Sequence, residues 1–304
     1  MTDQNCDVAI VGSGPAGMGA ALYAGRAKWE TVLFEKLGPG GQLAEAYDVD
    51  NYLGFTDGIT GPELTEKMKN HAERFGAEII REEVVDLIDE GELKRVVTGS
   101  NEYRAPVAII ASGASHRKLN VPGEERLAGA GVSYCGTCDG AFFRDKKLVV
   151  VGGGDAAMTE AVFLTRFASE IKLVHRRQGL RAEAMNIDKA KRNEKIEFVL
   201  DTIVTDINGE NKVEGVTLRN VKTDKEWQHE CDGVFIFVGH VPNTGYLKTI
   251  LPQYAGELIP TDMNMETEVK GLYAIGDVRV GSYRQIATAV ADGVVAAMHA
   301  EKRV

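Results

Sequence analysis

The sequence predicts an α/β protein built from two copies of one βαβ unit, with the second copy inserted into the domain that carries the first. Three observations carry that expectation. An apolar strand, a glycine-rich loop and a helix of small residues open the chain in "CDVAIVGSGPAGMGAALYAGR". The same order of elements returns in "KKLVVVGGGDAAMTEAVFLTRFASEIKLVHRR", offset by 140 residues from Gly12 to Gly152. Beyond residue 244 the chain supplies one more strand and one more helix, in "GLYAIGDVRVGSYRQIATAVADGVVAAMHA". That return completes the first unit.

In the first copy, residues 7–11 form an apolar strand, and Gly12, Gly14 and Gly17 follow in GxGxxG spacing. The first glycine permits the tight turn and the second lets backbone approach a pyrophosphate. The third lets helix and strand pack closely. Pro15 and Ala16 open the helix, whose free N–H groups suit a phosphate. The next apolar run, "TVLFEK", ends on Glu35 and Lys36, and Glu35 can accept hydrogen bonds from ribose hydroxyls.

Next, "GPELTEKMKNHAERFG" reads as a helix with Pro62 near its start, Leu64, Met68, Ala72 and Phe75 on one face and Gly76 as its stop. Strand-type runs follow at 78–88 and 93–98. "PVAIIASGA" reads as a buried strand that runs out into Ala111, Ser112 and Gly113.

The second copy has a strand at about 147–151, Gly152 and Gly154, and Ala157 in the third glycine's place. A helix is predicted from there to about residue 168, then a strand at 171–175. The step from Gly12 to Glu35, applied from Gly152, lands on His175. The acid is gone, and His175, Arg176, Arg177 and Arg181 stand there instead. A carboxylate repels a 2′-phosphate, whereas guanidinium groups pair with it. The first site is therefore expected to take a cofactor with free ribose hydroxyls and the second to take NADPH. "CDGVFIFVGHVPNT" then repeats strand before glycine, so the domain junctions are placed near 113–116 and 239–243. This gives one discontinuous domain, residues 1–113 with 244–304, and an inserted domain, residues 114–243. In the closing segment, Asp277 follows Gly276 and is placed to hold a ribityl hydroxyl, and the helix near Gln285 presents its N-terminus to a flavin ring.

Composition narrows the function. The chain has 304 residues, 44% hydrophobic and 26% charged, with 34 glycines and a formal net charge of −10. Such a charge argues against nucleic acid or an anionic membrane as partner. The N-terminus runs directly into a strand, with no signal peptide expected, and no apolar run approaches the about 18 residues of a membrane span. Four cysteines are too few for a disulfide-stapled secreted fold, so a cytoplasmic setting is expected. Cys6 and Cys231 lie at or beside strand starts and read as small buried hydrophobes.

Cys135 and Cys138, in "SYCGTCDG", form a CxxC pair followed by Asp139. Zinc needs four ligands. The histidines are scattered, and no second CxxC or CxxH occurs, so no metal is expected. As a permanent staple the pair closes too small a loop to gain much entropy. A redox dithiol is the favoured reading, with one thiolate attacking a partner disulfide and the other resolving it. Asp139 is placed to pass protons, or else to serve a turn.

These motifs, with "GGQL" at 40–43, "GGGDAA" at 152–157, "HRRQGLR" at 175–181, "GHVPNT" at 239–244 and "RQIATAVADG" at 284–293, occur in an order that closely resembles the low-molecular-weight, bacterial-type thioredoxin reductases. The resemblance covers essentially the whole chain. It implies a homodimer with two Rossmann-like domains of three-layer ββα type, FAD in the split domain and NADPH in the inserted one. It implies FAD contacts from Gly41, Gln42, Leu43, Asn51, Ala111, Gly113, Asp277, Arg284, Gln285, Ile286 and Ala287. It implies NADPH contacts from Asp155, Ala156, Ala157 and the three arginines. It makes Cys135 the interchange thiol, Cys138 the thiol that faces the flavin, and Asp139 the acid–base. Ala156 stands where the family often has serine, and Gly179 and Leu180 depart from its usual bulkier residue and aromatic.

The implied partner is thioredoxin or a thioredoxin-like protein. Both the CxxC pair and the nicotinamide must reach the flavin from one inserted domain, so a rotation between half-reactions is expected. The alternatives are the same fold fed by ferredoxin or NADH, a flavin-dependent dithiol oxidase, and a flavin-binding redox sensor.

Overall fold

The apolar run after Cys6 becomes the centre of a parallel sheet. In the computed structural model, which describes residues 3–46, 49 and 51–304, the chain forms two compact units, residues 1–115 with 241–304 and residues 116–240.

In the first unit β1 (Asp3–Asn5) precedes β2 (Val8–Val11), α1 (Pro15–Arg26), β3 (Thr31–Phe34), α2 (Gly61–Arg74) and β4 (Glu78–Ile80). An antiparallel meander follows, β5 (Val84–Asp89), β6 (Lys94–Thr98) and β7 (Glu102–Ala105), and then β8 (Val107–Ile110) and β9 (Ala114–His116).

The second unit holds β10 (Val132–Ser133), α3 (Gly136–Asp139), β11 (Lys147–Gly152), α4 (Asp155–Leu164), β12 (Glu170–Val174), α5 (Ala184–Lys191) and β13 (Ile196–Val199). Its own meander is β14 (Thr202–Asn208), β15 (Gly215–Asn220) and β16 (Glu226–Glu230), before β17 (Gly233–Phe237) and β18 (His240–Pro242). β19 (Leu272–Ala274) and α6 (Ile286–Ala300) then return to the first unit. β9 and β18, which carry the two crossings, pair with each other. The crossings therefore fall inside a paired ribbon, after Ser115 and before Val241.

Each unit has three layers. The first sheet runs β19-β8-β2-β3-β4, all parallel. Alternate residues serve opposite faces. Ala9, Val11, Phe34 and Ile110 pack on the meander residues Val84, Leu87, Val96 and Tyr103. Val8, Ile10, Leu33 and Ile109 pack on the alanines of α1 and α6. The small residues let those helices cross closely: a Cβ added to Gly293 would stand 2.3 Å from the Ala16 carbonyl oxygen. The second sheet runs β10-β17-β11-β12-β13 and is covered in the same way by its meander and by α4 and α5.

One boundary departs from expectation. α4 ends at Leu164 rather than near residue 168. The last carbonyls are satisfied by a tightened turn, with Arg166 N donating to Phe163 O at 3.1 Å and Phe167 N to Leu164 O at 3.0 Å, and Lys195 Nζ then holds the carbonyls of Thr165 at 2.9 Å and Ala168 at 2.8 Å beyond the helix. Among the described residues no helix is long and apolar enough to cross a membrane.

Candidate active site and cofactor loops

In the first unit the glycines of the opening loop do different work. Gly12 has φ +107, and a Cβ there would lie 2.4 Å from the Ala111 carbonyl oxygen. A Cβ on Gly17 would lie 2.0 Å from the Gly12 oxygen, so helix and loop meet there backbone to backbone. Gly14 is open, with Gly40 O at 3.9 Å as its nearest neighbour. This is the cradle a pyrophosphate needs: two glycines fix the turn and one leaves its face clear. Pro15 and Ala16 open α1.

Glu35 Oε2 accepts from Ser13 Oγ at 2.7 Å and Ser13 N at 3.2 Å, and Oε1 accepts from Leu37 N at 3.0 Å. The acid is thus oriented by the loop itself. Ser13 has no counterpart in the sequence reading, although its place between the glycines marks it. Lys36 turns away to an exposed pair with Glu83 at 2.6 Å.

The remaining first-unit positions gather from distant segments. Gly40 N donates to Ser13 O at 2.9 Å, which brings the Gly41–Glu45 turn, with Gln42 and Leu43, beside the loop. Gln42 Nε2 donates to the Ala114 carbonyl, just past Gly113. Asn51 Nδ2 donates to Gln285 Oε1 at 3.1 Å, and Gln285 caps α6 ahead of Ile286 and Ala287. Arg284 has φ +54, and its N–H is held by Ser282 Oγ at 3.1 Å. Asp277 Oδ1 accepts from Ser282 Oγ at 3.1 Å, and burial pushes the Asp277 carboxyl above its ordinary range.

Asp292 holds this corner in place and was not read from the sequence. Its Oδ2 accepts from Gly276 N at 3.0 Å and Arg279 Nε at 2.7 Å, and its Oδ1 accepts from Arg279 Nη2 at 2.8 Å. A lone acid inside the apolar helix "IATAVADGVV" was the available signal.

In the second unit a Cβ on Gly152 would lie 2.5 Å from Phe237 O and 2.6 Å from the Ala157 Cβ. Gly154 has nothing within 4 Å. Asp155 Oδ1 accepts from Glu183 N and Asn186 Nδ2, both at 2.8 Å, and the Asn186 bond leads in holding its carboxyl below the usual range. Arg181 N donates to Gly153 O at 2.7 Å. Arg176, Arg177 and Arg181 are exposed. Their side chains are open to an incoming phosphate.

His175 is placed differently from its arginine neighbours. It is buried, and its ring lies under Gly153, where a Cβ would stand 2.3 Å from Cε1. Burial pushes its pKa down, with the charges of Arg181, Arg176 and Arg177 adding to that fall. It props the loop as a neutral ring.

The same unit carries the CxxC pair. Cys135 and Cys138 are joined as a disulfide, with Cα atoms 5.3 Å apart. β10 delivers Ser133 to the turn, and α3 begins at Gly136. Cys135 Sγ accepts from Cys138 N at 3.2 Å, a contact that favours a thiolate on Cys135 once the bond opens. Ser133 Oγ donates to Asp139 Oδ2 at 2.6 Å and accepts from Cys135 N at 3.1 Å. Burial raises the Asp139 carboxyl, and the Ser133 bond partly offsets it. Cys6 and Cys231 are free and buried, and burial pushes both thiols up to about 12.

Residues 6–293 match the family described as pyridine nucleotide-disulphide oxidoreductases. This chain belongs to that family. A thioredoxin reductase of Bacillus subtilis is 49% identical over 292 residues, covering 96% of this chain and 92% of its own. One from Listeria monocytogenes is 46% identical over 300 residues, covering 98% of this chain and 93% of its own. The crystal structure of thioredoxin reductase from Streptococcus pyogenes superposes with a TM-score of 0.93 at 45% identity, covering 99% of each chain. A disulfide beside a partly buried acid, in a pyridine nucleotide-disulphide oxidoreductase, is a centre for two-electron exchange.

Proposed function

We propose that this protein is an NADPH-dependent flavoprotein disulfide reductase that reduces thioredoxin or a thioredoxin-like protein. The observation that carries the reading is the Cys135–Cys138 disulfide, set in the same unit as a glycine loop fringed by Arg176, Arg177 and Arg181. The relatives' names point to the same substrate.

FAD is assigned to Gly12, Gly14, Gly17, Glu35 and the corner around Asp277, and NADPH to Gly152, Gly154 and the three arginines. When bound, these cofactors carry a hydride and then an electron pair to the disulfide. The chain's own residues do the rest. Two electrons break the Cys135–Cys138 bond and leave two sulfurs. The Cys135 thiolate, held by the Cys138 N–H, attacks one sulfur of the partner's disulfide and releases the other as a thiolate. Asp139, whose carboxyl burial shifts toward the protonated form, supplies that leaving sulfur with its proton. Cys138 then passes its proton to the Asp139 carboxylate and attacks Cys135 Sγ, which restores the internal disulfide and releases the partner's second sulfur as a thiolate that takes its proton from water.

The dithiol and the nucleotide loop share one unit, and the FAD residues lie in the other. Rotation about the ribbon of β9 and β18 lets each reach the flavin in turn. The working form is assigned as a cytoplasmic homodimer. NADPH consumption with and without oxidised thioredoxin tests the function. Consumption that requires thioredoxin supports it, and consumption indifferent to thioredoxin contradicts it.

A further inference from the structure

The carboxyl group of Glu160 takes no part in the chemistry above, yet it lies against the redox turn. Glu160 sits on α4, and among the described residues its buried Oε2 has no hydrogen-bond partner. A Cβ built on Gly136 would stand 2.1 Å from that same oxygen. The carboxyl therefore presses on the backbone between the two cysteines, and glycine at 136 leaves room for it. A buried, unsatisfied carboxyl oxygen is costly to retain without a role.

The groups around Glu160 are few. α3 brings Cys138 and Asp139, with Cys135 at its N-cap, and Asp139 is already bonded to Ser133. α5 brings Asp188, Lys189 and Lys191, all exposed. β11 brings Lys147, exposed at the far end of its strand, and β17 brings no ionisable residue. Burial is the largest influence on the Glu160 carboxyl and pushes it above its ordinary range.

We propose that Glu160 is a positioning residue for the dithiol, coupling reduction of the Cys135–Cys138 disulfide to uptake of a proton at its own carboxyl. The inference rests on the redox role of that disulfide. Two electrons break the S–S bond. Cys138 takes a proton and becomes a thiol. Cys135 remains a thiolate against the Cys138 N–H. An ionised Glu160 beside that thiolate is a like charge in a poorly solvated place, so it takes up a second proton. When Glu160 is already neutral, no second proton is needed.

The test compares FAD-loaded wild-type protein with Glu160→Gln, a neutral side chain of the same shape. Both are equilibrated in dithiothreitol redox buffers from about pH 5 to about pH 9, a range spanning ordinary carboxylate and thiol titration. The thiols are trapped by alkylation, and the peptide carrying Cys135 and Cys138 is weighed. The pH dependence of the buffer and of Asp139 cancels in the ratio of the two equilibrium constants.

That ratio is expected near unity at acid pH. As pH rises the wild type becomes harder to reduce than the variant, by up to about tenfold, or about 30 mV for two electrons. A ratio that stays flat across the range overturns the proposal. Gly136→Ala, whose methyl must displace Oε2, is expected to lessen the pH dependence, and full wild-type dependence in it also counts against the contact. Flavin bleaching by NADPH in the same preparations reports separately on the proposed function, because the dithiothreitol equilibrium does not require the nucleotide.

Discussion

The hydroxyl of Ser133 donates to Oδ2 of Asp139 at 2.6 Å, and this bond opposes the burial that raises the Asp139 carboxyl. Removing the donor leaves burial to act alone. In Ser133→Ala, Asp139 therefore stays protonated to higher pH. Proton donation by Asp139 is lost as pH rises through its raised pKa, so the alkaline limb of thioredoxin reduction is predicted to move upward. The stability contributed by neutral Asp139 has the same sign: it is complete below the ordinary carboxylate pKa of about 3.9 and disappears through the raised value. A pH–rate profile of the disulfide half-reaction checks the shift, and a limb that moves downward contradicts the assigned role.

Cys138→Ser removes the resolving sulfur but touches neither glycine loop. NADPH should still bleach the bound flavin in the absence of oxygen, while thioredoxin reduction falls to the uncatalysed level. Rapid-mixing absorbance separates the two steps. Thioredoxin reduction that survives the substitution would place the redox centre elsewhere.

Arg176 and Arg181 are exposed. Replacing both with alanine should raise the KM for NADPH by at least about tenfold, because a single hydrogen bond to a charged group, at about 1.5–3 kcal/mol, is worth about tenfold to 150-fold. The KM for NADH should change little. Parallel kinetics with the two nucleotides measure the difference, and equal losses argue against a phosphate clamp.

Gly14, at the N-cap of α1, and Gly17, in its first turn, predict opposite phenotypes. In Gly17→Ala the new methyl meets the Gly12 carbonyl oxygen at 2.0 Å, so a loss of about 1–3 kcal/mol in stability accompanies loss of flavin. In Gly14→Ala the nearest atom is 3.9 Å away, so the protein keeps its stability and loses only flavin affinity. Melting temperatures and flavin content of the two purified variants distinguish these cases.

The parts visible in the sequence were those where backbone geometry restricts the residue. Gly12, Gly17 and Gly152 face carbonyl oxygens at close range, and no other side chain fits, so their spacing announced both loops. The apolar runs of β2, β8, β11 and β17 were equally plain because both faces of each sheet are covered. Roles that depend on tertiary neighbours stayed hidden. His175 has the sequence position of a nucleotide-binding residue, but only the approach of Gly153 shows that its ring is a buried prop. Asp292 and Arg279 are thirteen residues apart and meet because α6 folds back on the Gly276 turn. α4 stops before residue 168 because the chain tightens into a turn after Leu164, and Lys195, on a later segment, holds the carbonyls of Thr165 and Ala168 in that turn.

The relay from nicotinamide through flavin to the two sulfurs is tested most directly by one anaerobic titration followed by visible absorbance. Stoichiometric NADPH should bleach the flavin of the FAD-loaded protein, and oxidised thioredoxin added afterward should restore the colour only while Cys135 and Cys138 are both present. A flavin that NADPH leaves oxidised, or a bleached flavin that thioredoxin recolours equally well in the Cys138→Ser protein, would contradict it.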